Sequence, residues 1–190
     1  ATGLPWRNSS PNMRSLTEAI LYPGVGLLEF CKLSVGRGTD TPFEVIGAPY
    51  IDDLHLAQLL NNKKLPGITF LPIRFSPDAS KFKNQQCGGV NLVLTDRVKF
   101  RAVETGLHIA ATLHQLYPDN FDLAKVNTLL GHPGILQEIR AGKPIESLLR
   151  TLAADEATFR KRRRPHLLYP ESKMELQDLL KIRILGRELP

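Results

Sequence analysis

The stretch from residue 33 to residue 47, "LSVGRGTDTPFEVIG", decides how the fold is interpreted. Gly36 and Gly38 flank Arg37, and glycine accepts the positive φ angles and close backbone approaches that a tight turn requires. An apolar, strand-like run follows the loop and begins beside a carboxylate, Glu44. The stretch therefore predicts a tight loop that projects an arginine, followed directly by a strand.

The segments around this loop predict further strands. The runs "VGLLEF", "GITFLPIRFSP" and "CGGVNLVLTD" are strand-like in composition. The last of them has a continuous apolar run, which is typical of a central strand covered on both faces. With the strand after the loop, the sequence predicts a mixed sheet of about four or more strands.

Helical patterns occupy most of the remaining chain. Ser15 and Glu18 form a capping-box pattern, which starts a short helix that "YPG" is expected to stop after Leu21. A second helix follows Asp52 or Asp53, either of which can cap it. Its predicted apolar face comprises Leu54, Ala57, Leu59 and Leu60. Since the chain after residue 100 is mainly helical in pattern, we expect an α+β fold with helices packed on the sheet.

Composition shifts divide the chain into three segments. Residues 1–14 are rich in Pro, Asn and Ser and are expected to be a linker or an extended lead-in. Residues 15–169 form the predicted α+β domain, and residues 170–190 carry an amphipathic pattern that predicts an additional helix, either packed or partner-binding. The chain begins without Met and without an apolar signal segment, and it has no apolar run long enough to predict a membrane span.

The positive charge is concentrated at one place. The formal net charge is +6, and the basic run 160–164 supplies five of these charges. The run could contact nucleic acid or a membrane surface, or it could be a solvated helix end whose cations complement the helix dipole. We favour the solvated helix end and expect no nucleic-acid partner, because no aromatic residues interleave the run.

The residues that usually bind metals show no ligand spacing. Cys31 and Cys87 form no metal-binding motif, although one disulfide between them is possible in an exported protein. The five histidines include no HxxxH or HExxH pair, and His108 and His114 are six positions apart on a predicted helix, which does not place them on one face. The loop lacks both the P-loop and the dinucleotide fingerprint. We therefore predict no metal and no cofactor.

Two carboxylates flank the glycine loop and are the catalytic candidates. Glu29 precedes the loop and Glu44 follows it. Such a pair could supply the acid and base of glycoside hydrolysis, or both could be salt-bridge partners of Arg37. The candidate substrate-binding residues are Asn12, Ser34, Arg37, Gly38, Thr39 and Asp96. Asn12 and Asp96 also fit ordinary turn and capping roles.

Six motifs in order carry a resemblance to a known family. They are "SPNMRSLTEAILYPGVGLLEF", "LSVGRGTDTPFEVIGAPYID", "GITFLPIRFSP", "KNQQCGGVNLVLTD", "LYPDNF" and "RRPHLLY". Across roughly residues 9 to 169 the chain resembles the C-terminal half of the NamZ family. These proteins are exo-β-N-acetylmuramidases of bacterial peptidoglycan turnover, long described as a domain of unknown function.

The resemblance implies a two-part enzyme. An N-terminal Rossmann-like domain, in cis or in trans, would face this α+β domain across a cleft and supply at least one catalytic carboxylate. The implied substrate is a muropeptide sugar, from whose non-reducing end N-acetylmuramic acid is released, and the implied location is the periplasm or the cell exterior. Arg37 would then meet the lactyl carboxylate of that sugar.

Two positions depart from the family pattern. Val35 stands where the family loop usually has glutamate, and Phe30, Cys31 and Lys32 stand where it usually has Gly-Thr-Asn. These changes keep a second interpretation open, which is a non-catalytic carbohydrate-binding or partner-binding module.

Overall fold

The structure is a computed structural model that describes residues 4–167. This part of the chain folds into a small sheet covered by helices, which confirms the predicted α+β class. Its three strands are β1 (Val45–Ala48), β2 (Ile68–Phe75) and β3 (Cys87–Leu94). Its six α-helices are α1 (Leu16–Val25), α2 (Asp53–Asn62), α3 (Ala102–Leu116), α4 (Asn127–Leu130), α5 (Pro133–Arg140) and α6 (Ile145–Arg163).

The sheet is antiparallel, with strand order β1-β3-β2. In its register Ile46 lies opposite Val90, and Phe70 lies opposite Leu92. The central position of β3 confirms what its continuous apolar run predicted, but the strand is not fully covered on both faces, since Asn91 and Val93 are only half-buried. Pro72 lies within β2, and it is tolerated there because β2 is an edge strand with one unpaired side.

The sheet has three strands rather than four or more, because the run "VGLLEF" is not a strand. Helix α1 continues past Leu21 to Val25 with Pro23 inside it, and a 3-10 turn then spans Gly26–Leu28. A short apolar run cannot by itself distinguish a buried strand from a buried helix. Here residues 25–28 of the run are buried against other helices, and this packing outweighs the missing backbone N–H of Pro23.

The predicted caps are confirmed by their hydrogen bonds. The Ser15 hydroxyl accepts the Glu18 N–H at 3.0 Å, and the Glu18 carboxylate accepts the Ser15 N–H at 3.2 Å. Asp52 accepts the His55 N–H at 2.9 Å and caps α2. The predicted apolar face of α2 was wrong at Leu54, which is exposed, whereas Leu56 is buried.

Helices α1 and α3 pack in direct backbone contact. A Cβ atom built on Gly24 would lie 2.0 Å from the Ala102 carbonyl oxygen, and one built on Gly106 would lie 2.5 Å from the Gly24 carbonyl oxygen. No side chain fits in either place, so these two glycines set the distance between the helices. The contact also positions the segment that follows α1, which contains Glu29.

The chain divides into two compact units, residues 1–149 and 150–190. Residues 4–14 contain no helix or strand, and their isolated Ser10–Met13 bridge closes a turn. In the second unit, α6 ends in the basic run, where Arg160 pairs with Glu156 at 2.6 Å. The predicted helix at 170–190 lies outside the described residues. Within residues 4–167, no helix is long and apolar enough to cross a membrane.

We expect Gly106→Ala to destabilise the protein by about 2 kcal/mol or more, because the new methyl group must push α3 away from α1. The measurement is urea unfolding followed by circular dichroism. Gly134→Ala is the matched control, since its Cβ meets only the His132 ring at 3.5 Å and helix propensity favours alanine. Equal stabilities for the two variants would contradict the proposed backbone contact.

Candidate functional site

The glycine loop is attached to the sheet by a backbone bridge. The Ser34 N–H donates to the Gly47 carbonyl at 2.8 Å, and the Gly47 N–H donates to the Ser34 carbonyl at 3.0 Å. The Ser34 side chain is buried, and its hydroxyl accepts the Gly36 N–H at 3.3 Å. Ser34 therefore holds the base of the loop.

Arg37 is fixed by two neighbours. Its Nε and Nη2 atoms both lie 2.6 Å from Oε1 of Glu29, and its guanidinium carbon lies 5.1 Å from the centre of the Phe43 ring. Phe43 is buried with a φ of 63°, an unfavourable angle for a bulky residue that the surrounding packing must hold. The salt-bridge alternative thus describes the contact between Glu29 and Arg37.

Glu44 has a different environment from Glu29. Its Oε1 atom accepts a hydrogen bond from the Ser15 hydroxyl at 3.0 Å, which connects the start of β1 to the start of α1. Within residues 4–167 its Oε2 atom has no hydrogen-bond partner and Glu44 forms no ion pair. The two candidate carboxylates therefore differ in their partners, since Glu29 is in an ion pair with Arg37 and Glu44 binds only a neutral hydroxyl among residues 4–167.

Gly38 and Thr39 shape the tip of the loop. Gly38 has a φ of 80°, a Cβ there would lie 2.4 Å from the Ala79 nitrogen, and its carbonyl accepts the Asp78 N–H at 2.8 Å. The Thr39 hydroxyl donates to the Gly36 carbonyl at 2.7 Å and accepts the Thr41 N–H at 3.2 Å. The loop is therefore held both by its own bonds and by the segment after β2.

A polar cavity of about 340 Å³ opens beside the loop tip. It is lined by Arg14, Gly38, Thr39, Asp40, Phe75, Ser76 and Asp78. Arg14 donates to the Pro11 carbonyl at 2.8 Å and reaches the exposed Asp40 carboxylate at 3.7 Å. Sequence reasoning did not single out Arg14, Ser76 or Asp78 as site residues. Arg14 carried a weak signal, since it directly precedes the capping box.

Of the eight predicted site residues, Gly38 and Thr39 line this cavity and the other six do not. Asn12 is in the turn closed by the Ser10 and Met13 backbone bond of 3.1 Å, and its own N–H donates to the Ser10 hydroxyl at 3.2 Å. Asp96 accepts the N–H groups of Val98 and Lys99 at 3.0 and 3.2 Å. Hydrogen bonds from Lys99 lower the pKa of Asp96.

Asp96 also follows the end of β3 that pairs with Ile68, whereas the loop contacts the segment beyond Phe75 at the opposite end of β2. Since a strand rises about 3.4 Å per residue, β2 separates the two places by roughly 20 Å.

Lys81 holds the backbone of the segment that precedes the glycine loop and carries Glu29. Its Nζ atom donates to the backbone carbonyls of Glu29 and Cys31. Burial lowers the pKa of Lys81 and raises that of the Cys31 thiol to about 12. Cys31 and Cys87 are both free buried thiols, so the disulfide that the sequence allowed is not formed.

The arrangement provides carboxylates, hydroxyls and cations on a rigid support. Glu29 is paired with a guanidinium, and Glu44 accepts one hydrogen bond from a hydroxyl. These groups suit the binding of a polyhydroxylated ligand. The described residues 4–167 contain no group of three or more His, Cys, Asp or Glu side chains placed to hold a metal ion.

Solved structures place this domain in a structural class. A DUF1343 family protein from Bacteroides fragilis NCTC 9343 is similar with a TM-score of 0.75 and 26% identity, over 88% of this chain and 46% of that one. A second DUF1343 family protein from the same organism has a TM-score of 0.65 and 25% identity, over 87% and 44% of the two chains.

The sequence comparisons then give the family. The profile of the exo-beta-N-acetylmuramidase NamZ C-terminal domain matches residues 20–169, and the chain belongs to this family. The peptidoglycan beta-N-acetylmuramidase NamZ of Bacillus subtilis (strain 168) is 40% identical over 171 residues, which is 88% of this chain and 41% of that protein. The resemblance drawn from the six motifs is confirmed, and the chain spans less than half the length of these relatives.

We expect Glu29 and Arg37 to stabilise each other by about 1 kcal/mol or more, because both are partly buried and their contact is short. A double-mutant cycle with Glu29→Gln and Arg37→Gln, read by urea unfolding, measures this coupling. The control cycle uses Glu138 and Lys143, a more exposed pair at 3.4 Å, for which we expect about 0.5 kcal/mol or less. Equal coupling in both cycles would show that the loop pair has no special role.

We expect both thiols to resist a thiol reagent at mildly alkaline pH in the folded protein. Burial blocks access to Cys31 and Cys87, and the raised pKa of each keeps the reactive thiolate scarce. Spectrophotometric labelling with and without guanidinium chloride measures the effect, with fast reaction of both thiols expected only after unfolding. Fast native-state labelling of either cysteine would contradict the buried placement.

Proposed function

We propose that this chain forms one wall of the substrate cleft of an exo-β-N-acetylmuramidase, which releases N-acetylmuramic acid from peptidoglycan fragments. The observation that carries the proposal is the cavity beside the bridged glycine loop, which is lined by the side chains of Thr39 and Asp40 from the loop and by Arg14. The family membership and the 40% identity to a peptidoglycan beta-N-acetylmuramidase support it. The other wall is an N-terminal Rossmann-like domain, in cis or in trans.

The two carboxylates take different roles in this proposal. Glycoside hydrolysis requires a proton donor and a second carboxylate that acts as base or nucleophile. Glu44 is in no ion pair among residues 4–167, and we assign it as the residue of this chain that reaches the reacting sugar. Glu29, already bound to Arg37, helps to hold the loop. The second reacting carboxylate comes from the N-terminal domain.

The lactyl carboxylate of N-acetylmuramic acid needs a cation. Two N–H groups of Arg37 are directed at Glu29, so this guanidinium is largely occupied. Arg14 lines the cavity, and its contact with the exposed Asp40 is long at 3.7 Å. A ligand carboxylate can replace such an exposed pair at low cost. We therefore assign the lactyl group to Arg14, while Arg37 keeps the loop in shape.

The cellular location follows from the substrate. Peptidoglycan fragments are produced outside the cytoplasmic membrane, so the proposed place of action is the periplasm or the cell exterior.

A second candidate function is a carbohydrate-binding module without catalysis. Val35, which replaces the glutamate expected in the family loop, is buried, so this position cannot present a polar group to a sugar. The two functions differ in turnover, because a module binds the sugar without cleaving it.

The deciding experiment measures hydrolysis of a chromogenic N-acetylmuramic acid glycoside. We expect little release by this chain alone and clear release when the N-terminal half of the Bacillus subtilis relative is fused to it or mixed with it. Glu44→Gln should then reduce kcat by about a hundredfold or more, as loss of an acid or base does. Sugar binding by the fused protein without any turnover would favour the module.

The role of Arg14 is tested by sugar binding. We expect Arg14→Gln to weaken binding of N-acetylmuramic acid by about tenfold and to leave binding of N-acetylglucosamine, which lacks the lactyl group, nearly unchanged. Arg37→Gln should weaken binding of both sugars, since it disturbs the loop. Equal losses for the two sugars in Arg14→Gln would remove Arg14 from the lactyl site and leave the hydrolytic function to be judged by turnover.

A further inference from the structure

A second cavity lies on the helical side of the first compact unit. Its volume is about 570 Å³, within the range of small-molecule sites, and it shares no lining residue with the cavity beside the loop. The end of α2, the second half of α3 and the connection between α5 and α6 form its walls. It is lined by Lys63, His108, Ala111, His114, Gln115, Ile139, Arg140, Gly142, Lys143, Pro144, Ile145 and Glu146.

His108, which lines this cavity, has a ring nitrogen without a hydrogen-bond partner among residues 4–167. His108 is 5% exposed, and its Nδ1 atom is buried with no hydrogen bond among residues 4–167. The Nδ1 atom of His114 is likewise buried and has no hydrogen bond among residues 4–167. Buried polar atoms in folded proteins are nearly always hydrogen-bonded, so these ring nitrogens are available to a polar group that enters the cavity. Burial and the charge of Lys63 lower the pKa of His108, so its ring is neutral at pH 7.

The charges around the cavity favour an anion. Within residues 4–167, neither Lys63 nor Arg140 forms an ion pair. Lys143 is paired with Glu138 at 3.4 Å, and Glu146 is the only acidic residue in the lining. The two unpaired cations against one acid leave one net positive charge. This charge suits a monocarboxylate better than a phosphate dianion.

The remaining lining is apolar, which favours an organic ligand. Ala111, Ile139, Pro144 and Ile145 contribute aliphatic surface to the same cavity. A small inorganic ion would leave this surface in contact with water, whereas an aliphatic or acylated body would cover it. His114 and Arg140 also line a neighbouring cavity of about 400 Å³, so a longer ligand has room to extend.

We propose that this cavity binds a small organic monocarboxylate, with Lys63 and Arg140 holding the carboxylate and His108 donating its Nδ1–H to the ligand. The site is separate from the loop cavity and does not depend on the proposed muramidase function. Its ligand class is an acylated amino acid or a similar carboxylic acid with an aliphatic body.

The test uses N-acetyl-alanine as the probe and its uncharged amide as the matched compound. NMR titration of the folded chain should shift the ring signals of His108 and His114 with N-acetyl-alanine and produce much smaller shifts with the amide. Inorganic phosphate should bind more weakly than N-acetyl-alanine. Equal binding of the acid and the amide, tighter binding of phosphate, or unchanged ring signals up to about 10 mM probe would each overturn the proposal.

Charge variants give the second readout. Lys63→Gln and Arg140→Gln should each weaken binding of N-acetyl-alanine by about tenfold, as loss of a charge-assisted hydrogen bond does. Lys64→Gln removes the same charge one residue away, outside the lining, and should leave the affinity unchanged. Glu146→Gln removes the only acid of the lining and should raise the affinity several-fold. A loss in Lys64→Gln equal to that in Lys63→Gln, or no gain in Glu146→Gln, would contradict the assigned site.

The role of the imidazole is tested by two amide side chains. The side-chain nitrogen of asparagine can occupy the place of Nδ1, whereas that of glutamine overlaps the position of Nε2. His108→Asn should therefore keep most of the affinity and His108→Gln should lose it, with circular dichroism and thermal melting confirming that both variants fold. The reverse order would overturn the assignment of Nδ1 as the donor.

Discussion

The backbone bridge between Ser34 and Gly47 is the contact on which the site depends. It attaches the glycine loop to β1, and β1 is in turn paired with the central strand β3. Because the loop is bonded to the sheet at its base, the positions of Arg37 and Thr39 are set by the core and not by the loop alone. The buried Phe43, whose backbone angle is unfavourable, is held by the same arrangement.

The polar groups of the loop mostly bind one another. The Thr39 hydroxyl closes the turn, and Arg37 is paired with Glu29. Lys81 donates to the backbone carbonyls of Glu29 and Cys31. Such internal bonding costs contacts that a ligand could have made, but it removes the entropy loss of ordering the loop on binding. Such a loop is suited to hold a ligand in one orientation. The groups that remain available near it include Arg14, whose contact with Asp40 is long, and Glu44, which is in no ion pair among residues 4–167.

The loop cavity and the helical cavity differ in whether the polar atoms that line them have hydrogen-bond partners. Some groups that line the loop cavity already have partners, such as the Thr39 hydroxyl, and a ligand there must compete with weak, exposed contacts such as that between Arg14 and Asp40. The helical cavity instead contains ring nitrogens of His108 and His114 without a partner among residues 4–167. A ligand in the helical cavity can supply a hydrogen bond to such a buried nitrogen, whereas a ligand in the loop cavity must replace existing contacts. The gain in binding free energy per hydrogen bond is therefore larger in the helical cavity.

The sequence by itself determined the local features of this protein. The Ser15 capping box, a helix cap at Asp52 or Asp53, the central place of β3 and the tight turn at Gly38 all follow from short-range backbone and side-chain rules. The family also followed from motifs along the chain. The tertiary structure alone decided whether the run after Val25 is helix or strand, because burial against other helices made that choice.

The sequence likewise did not determine which side chains contact each other. Arg37 could have met either flanking carboxylate, and the fold brought it to Glu29 while turning Glu44 toward Ser15. Spacing on α3 separated His108 from His114, yet the walls from α2 and the α5–α6 connection enclose both in one cavity. Capping and turn rules act over a few residues, whereas such contacts join residues far apart in the chain, and only the packing of the helices on the sheet fixes which of them meet.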